Sequence, residues 1–185
     1  MGRRKMSLNE LTKENHTRAE RQPFVKILMG GISKELYATY LYNQFPQYEI
    51  LELLSLPHGL FNDFPELQRK KAILDDYTEL WPHKDERPAV CPTVKRYLDH
   101  LMSIKEDPHK LMAHVYVRHM GDLSGGQMIA SKVPGQGRYY KFDSDVNVLK
   151  EKVRKKIDDT MADEAKICFD FATELFQDMM DLGKD

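Results

Sequence analysis

Apolar residues along this chain recur at intervals of three and four almost throughout, and no pair of segments alternates as half-buried strands would. Ser7-Leu-Asn-Glu10 has the form of a capping box and predicts a first helix of about fifteen residues, interrupted by Pro23. After Gly30-Gly31 a long helix begins near Ser33 and carries Leu36, Tyr37, Tyr40, Leu41, Ile50, Leu51 and Leu54, with a kink or split expected at Pro46. A further helix is predicted from about Asp63 to Leu80, stopped by Trp81-Pro82, and a Pro-rich connection follows to Pro92. The next runs from about Thr93 to Ile104. Asp107-Pro108 then supplies an N-cap and a first-turn proline for a helix reaching Lys132. Val133 to Ser144 is expected to be a loop. Asp145 caps a helix to Asp159, and Thr160-Met-Ala-Asp163 starts the last one, whose apolar face holds Met161, Ala165, Phe169, Ala172, Phe176 and Met179. The pattern predicts an all-α single domain over residues 7–182 behind a disordered start at residues 1–6.

Composition changes this picture little. The 185 residues suffice for one well-cored domain, and 41% hydrophobic with 31% charged residues is ordinary for a folded soluble chain. Lys plus Arg (28) nearly balances Asp plus Glu (29), so the net charge of -1 offers no general attraction to nucleic acid or to an anionic membrane. Neither a signal-like stretch nor an apolar run long enough to span a bilayer is present, which predicts a cytoplasmic protein. The two cysteines, Cys91 and Cys168, make no metal-ligand spacing and read as thiols, Cys168 in the core and Cys91 in a loop before a helix.

The most informative string is His114-Val-Tyr-Val-Arg-His-Met-Gly-Asp-Leu-Ser-Gly-Gly-Gln127. Its flanks are helical in pattern, yet Gly121, Gly125 and Gly126 fall within it, each costing about 1 kcal/mol relative to alanine inside a helix. Gly121 and Gly125, four apart, share a face, where bare backbone would admit a large flat ligand. Close helix–helix contact, or a turn ending one helix, is the plainer account of the glycines alone. Leu-Ser-Gly-Gly-Gln also occurs in transporter ATPases, but the phosphate-binding Gly-x-x-x-x-Gly-Lys-Ser/Thr loop they require is missing.

With Gly121-Asp122 in front, this string resembles the distal helix of heme oxygenases. Glu14-Asn-His-Thr-Arg-Ala-Glu20 is similar to their proximal segment, Tyr37-x-x-Tyr40 to the following helix, and Lys150-x-x-x-Arg154 to a later one, in the family's order over about residues 7 to 182. The resemblance, closest to the soluble ferredoxin-dependent bacterial, cyanobacterial and plastid type, implies a heme-degrading monooxygenase. Heme b would be both cofactor and substrate, cleaved with O2 and electrons from ferredoxin or a similar reductant to biliverdin (the alpha isomer), CO and ferrous iron. A bilin reductase would be a downstream partner, and bilin pigment synthesis the destination.

The resemblance also assigns roles. His16 is the implied heme-iron ligand, and Glu20, one helical turn on, places a carboxylate beside its imidazole. On the distal side the family uses glycine backbone at Gly121, Gly125 and Gly126 and water held by an aspartate, here Asp122, with Arg118 and Tyr40 in the same network. An ordinary i,i+4 ion pair is the plainer account of Arg118 and Asp122. Lys150 and Arg154 match propionate-binding cations, with Tyr116 and Lys13 beside them, although Lys150 to Lys156 also reads as a solvated face. Phe169 and Phe176 match aromatics near the heme, and plain core explains them as well. His119 is taken as packing. Two positions depart from the family: Ala172, commonly Asn, and Asn9, often Lys. A heme carrier on the same scaffold is the rival function. A related helical fold using thiamine or a di-iron centre would need a Glu-x-x-His ligand set, and no such pair is expected in the chain.

Overall fold

The computed structural model describes residues 5–182. Among the described residues ten α-helices follow one another: α1 (Leu8–Leu11), α2 (Lys13–Glu20), α3 (Pro23–Met29), α4 (Lys34–Ser55), α5 (Lys70–Leu80), α6 (Pro92–Ser103), α7 (Pro108–Leu123), α8 (Gly125–Ala130), α9 (Val146–Arg154) and α10 (Ala162–Leu182). No strand occurs among the described residues, so the all-α expectation holds. Of the start expected to be disordered, residues 1–4 lie outside the described residues, while Lys5 and Met6 are exposed and belong to no helix. No helix among the described residues is long and apolar enough to cross a membrane.

The helix starts follow their caps. Ser7 Oγ accepts from the Glu10 N–H, Ser33 Oγ from Leu36, Asp107 from Lys110, and Asp145 from Asn147 and Val148. Four predicted helices differ in extent: the one expected to reach Asp159 ends at Arg154, and the other three differ for local reasons. The first divides at Thr12, which is buried and turns its hydroxyl back onto the Leu8 carbonyl at 2.9 Å. The helix expected from Asp63 starts only at Lys70, after a 3-10 turn at Pro65–Leu67. There Arg69 folds back on the carbonyls of Glu66, Leu67 and Gln68, which a continuous helix would have bonded to its own N–H groups. The helix after Asp107 breaks at Ser124. Conversely α4 runs unbroken through Pro46, flanked by the buried side chains Leu41, Tyr48 and Leu51.

Two apolar clusters make up the core. One gathers Leu51, Phe64, Tyr97, Leu111, Leu149 and Ala165; the other gathers Phe24, Tyr37, Leu41, Ile73 and Leu175. Helices α4 and α10 contribute to both, and they tie the molecule together. Helix α4 also buries a polar stripe. Asn43 takes up the carbonyl of Ala89 and the N–H of Cys91 at 2.9 and 2.7 Å, anchoring the Pro-rich connection. Cys91 and Cys168 are both buried free thiols.

Arg69 is the main cross-link to the loop before α9. Its Nη1 donates to the carbonyls of Arg138, Tyr139 and Lys141 at 3.3, 3.2 and 2.8 Å, and its guanidinium lies 4.0 Å from the centre of the Phe142 ring. From α5, Asp76 accepts the Tyr139 N–H at 2.8 Å. Replacing Arg69 with Leu leaves these carbonyls unpaired in a buried setting. Chemical denaturation should show a loss of about 3 kcal/mol or more in unfolding free energy.

Candidate active site

Between α2, α7, α8 and α10 lies a cavity of about 960 Å³. Helix α2 is short and polar, and its position is set by α10: Asn15 donates to Asp170 at 2.8 Å, and Arg18 lies 3.5 Å from the same carboxylate. It presents His16, Ala19 and Glu20 to the cavity. His16 Nε2 is 2.9 Å from Glu20 Oε1, and its ring centre is 5.4 Å from that of Phe169. A ligand at Nε2 would displace this carboxylate, whereas one at Nδ1 would leave it in place.

A second wall is the break between α7 and α8. Gly121 and Gly125 line the cavity, and a Cβ added at either meets no atom within 4 Å. A side chain there would grow into the cavity itself. Gly126 differs, because a Cβ would stand 2.6 Å from Cδ1 of Tyr140. The broken helix is braced by Gln127, whose Nε2 donates to the carbonyls of Asp122 and Tyr140 at 3.1 and 2.8 Å.

Behind the glycines stands a buried polar chain. Tyr48 Oη donates to Asp122 at 2.8 Å and itself accepts from Tyr139 Oη at 2.7 Å. Gln44 Nε2 reaches Tyr40 Oη at 2.8 Å and Tyr139 Oη at 3.3 Å, and its Oε1 accepts from Gln47 and from Arg118. Arg118 gives Nη2 to Gln47 at 2.5 Å and Nε to Tyr97 Oη at 3.0 Å. Arg118 and Asp122 are therefore linked through tyrosine and glutamine side chains, and no direct ion pair joins them. Burial pushes the Asp122 carboxyl up to about 7, against the downward pull of the Tyr48 hydrogen bond and of Arg69 and Arg118. Burial likewise raises Tyr40 to about 12. Asp122 is thus a carboxyl able to hold or release a proton near neutrality, with hydroxyls and amides leading away from it.

The rim gathers Tyr116 and Arg154, with Arg154 paired to Glu151. Phe169 and Phe176 also line the cavity, as do the two departures, Asn9 and Ala172. Lys13 is exposed on α2 and Lys150 half-buried on α9, and neither belongs to the lining. His119 is buried away from the cavity between the rings of Tyr48 and Phe61, where burial lowers it to about 3 and keeps it neutral. Contrary to the expectation, one Glu-x-x-His spacing does occur, Glu106 to His109, but it straddles the Asp107 cap at exposed positions and falls outside the cavity lining.

Sequence reasoning missed Gln44, Tyr48, Tyr139 and Tyr140 in the lining, and Gln47 and Tyr97 as the partners of Arg118. Gln44 and Tyr48 follow Tyr40 at four-residue steps, a signal available in the pattern. Tyr139 and Tyr140 sit in a segment read as loop, and contacts from distant residues, Arg69, Asp76 and Gln127 on the backbone and Tyr48 and Gln44 on the Tyr139 hydroxyl, hold them inward.

Comparison with known proteins adds the family. The heme oxygenase family model matches residues 4–178. Heme oxygenase 2 of Macaca fascicularis is 32% identical over 205 residues, covering 95% of this chain and 65% of that protein. Heme oxygenase 2 of a Synechocystis species is 31% identical, covering 94% and 81%. The crystal structure of the Synechocystis heme oxygenase-2 in complex with heme and NO superposes with a TM-score of 0.84 at 29% identity, over 96% of this chain and 85% of that one. Heme oxygenase-1 from the same genus, in complex with heme, gives 0.83 at 27% identity over 96% and 92%. The chain thus spans just under two thirds of the length of the first animal relatives.

The three glycines should separate on substitution. Gly126→Ala drives a methyl into Tyr140, which is buried and stacked on Tyr139 with ring centres 4.1 Å apart, and should cost about 1–3 kcal/mol in urea unfolding. Gly121→Ala and Gly125→Ala meet open space and should unfold at least as late as the parent, gaining up to about 1 kcal/mol.

A pH dependence follows from Asp122. Its folded value, about 7, lies above the ordinary carboxylate value, so the folded state binds the extra proton. Stability from this group is complete at pH 4 and falls as pH rises toward 7. Asp122→Asn removes that loss. Unfolding titrations should show the variant gaining on the parent between pH 4 and 7, by at most about 1.4 kcal/mol per pH unit, and levelling off above.

Proposed function

The chain belongs to the heme oxygenase family, and from that premise we propose that it binds heme in the cavity between α2 and the broken α7–α8 helix and degrades it. Heme iron supplies the centre for oxygen activation, and the porphyrin is itself the carbon framework to be opened. The products are biliverdin, CO and ferrous iron, with O2 and electrons from a ferredoxin-type donor consumed.

The observation that carries this reading is the side-chain-free wall at Gly121 and Gly125, in the same cavity as His16. A flat macrocycle needs a slot that neither residue fills, and its iron needs a nitrogen donor on another wall. His16 gives that nitrogen, and Glu20 orients the ring. Asp122 holds a proton near neutrality and is hydrogen-bonded to the hydroxyl pair of Tyr48 and Tyr139, which Gln44 orients through its amide N–H. Arg118 has its guanidinium committed to Gln44, Gln47 and Tyr97, which keeps its charge fixed behind the wall. Without a mobile cation or imidazole at the reacting face, the chain's groups favour oxidation of the ring over generation of a diffusible oxidant.

Arg154 and Tyr116 at the rim suit the two propionates, Arg154 by a forked contact. Anchoring there sets which meso carbon faces the glycines, and the alpha isomer is the proposed outcome. Lys13 and Lys150 stand outside the lining and would act only as long-range charges, Lys150 with Lys155 offering a positive edge to an acidic electron donor. A bilin reductase would receive the product.

The test is one aerobic turnover. The heme-loaded protein, supplied with ferredoxin, its reductase and NADPH, should lose its Soret band and yield one equivalent of biliverdin, resolved by chromatography as the alpha isomer. His16→Ala should lose the parent's ferric heme spectrum and most of the bilin, and Glu20→Gln should bind heme about 10-fold more weakly. A Soret band that survives repeated reduction in air would mean a heme carrier and overturn the proposal.

A further inference from the structure

Outside the cavity, three helices converge on a second cluster of donor atoms. His100 near the end of α6, His114 in α7 and Glu164 in the first turn of α10 bring one ligand atom each to within 4.8 Å of one another. His100 Nε2 is 2.5 Å, and His114 Nε2 2.8 Å, from the same oxygen, Glu164 Oε1. None of the three lines the heme cavity. We propose that His100, His114 and Glu164 bind one divalent transition-metal ion of the zinc class, with a fourth position left to water.

The donor chemistry favours this ion class. Two imidazole nitrogens and one carboxylate oxygen form a borderline set that suits zinc and cobalt over magnesium or calcium, which prefer oxygen throughout. Metal-binding histidines need their other nitrogen held, and His114 meets that condition: Nδ1 is 2.7 Å from Tyr97 Oη. Tyr97 Oη in turn accepts from Arg118 Nε at 3.0 Å, so the phenol is fixed in place. Glu164 Oε1 already faces both imidazoles, so the carboxylate is held at the point where the two rings converge.

Access and room are also present. The His114 side chain is fully enclosed, that of Glu164 is 10% exposed, and that of His100 is 22% exposed, so one edge of the cluster meets solvent. Ligand atoms about 2.0–2.1 Å from a tetrahedral ion stand roughly 3.3 Å apart, so the His100–Glu164 pair at 2.5 Å must open by about 0.8 Å and the His114–Glu164 pair at 2.8 Å by about 0.5 Å. His100, within the last turn of α6, has the freedom to do so. Without an ion, both Nε2 atoms carry protons toward one oxygen. With it, each imidazole would turn the Nε2 lone pair to the metal and carry its proton on Nδ1 instead, a change of tautomer after which His114 Nδ1–H donates to Tyr97 Oη. No proton is lost from a neutral ring, and no oxidant or reductant is required.

Cobalt(II) and zinc(II) are the probes, added to the full-length, heme-free, chelator-treated protein. The parent should bind one equivalent of Co2+, with the intense visible bands of a four-coordinate site, and release it to one equivalent of Zn2+. Calorimetry should show His100→Ala and Glu164→Gln each binding at least about 10-fold more weakly. His100→Ala is the deciding variant because its side chain is the most exposed of the three, and an unchanged circular dichroism spectrum shows that the variant is folded. His16→Ala should bind the ion as the parent does, which separates this site from the heme cavity and from the fate of the proposed activity. No stoichiometric binding by the parent, binding undiminished in His100→Ala, or binding abolished in His16→Ala would each overturn the assignment.

Discussion

A helix wall without side chains is the constraint to which the rest of this molecule answers. Gly121 and Gly125 clear space beside the cavity, and each glycine weakens the helix that carries it by about 1 kcal/mol. The helix breaks at Ser124, and its two halves are held by contacts from elsewhere in the chain. Gln127 bridges the break, Tyr140 fills the space beside Gly126, and Arg69 with Asp76 fixes the loop that delivers Tyr140. A local deficit in the backbone is offset by distant side chains, so the shape of the cavity depends on α5 as much as on its own lining.

The same economy governs charge. Arg118 and Asp122 share a helix face one turn apart and are both nearly enclosed, yet they do not meet. Each is satisfied by neutral groups instead: Arg118 by two glutamine oxygens and a phenol, Asp122 by the hydroxyl of Tyr48. A direct pair would lower the carboxyl and fix its charge. Separation leaves Asp122 close to neutrality in its affinity for a proton, while Arg118 lends a constant field from behind. The polar stripe on α4 makes this arrangement possible, since Gln44, Gln47 and Tyr48 all come from it.

Much of this was legible in the residues. Ser33, Asp107 and Asp145 marked helix starts, and Trp81-Pro82 a stop, because caps and prolines act within a few residues. The glycine string and the His16–Glu20 spacing pointed to one cavity for the same local reason. What escaped depends on tertiary contact. The late start of α5 follows from Arg69 taking carbonyls from two segments some seventy residues apart. Tyr139 and Tyr140 belong to a stretch without helical period, and nothing near them in sequence says that they turn inward. Lys13 and Lys150 had suitable spacing on their helices, but spacing on one helix does not say which face meets the cavity.

The route from Asp122 through Tyr48 and Tyr139 to Gln44 is made of side chains, and that gives it a history of a particular kind. Each link is encoded, at α4 or in the loop that Arg69 holds, and so is open to change one codon at a time. Phenylalanine for tyrosine at 48 or 139 is a single-nucleotide step that keeps the ring and deletes the hydroxyl. Natural variation at these two positions would therefore alter the hydrogen bonding that Asp122 receives while keeping the aromatic rings behind the wall.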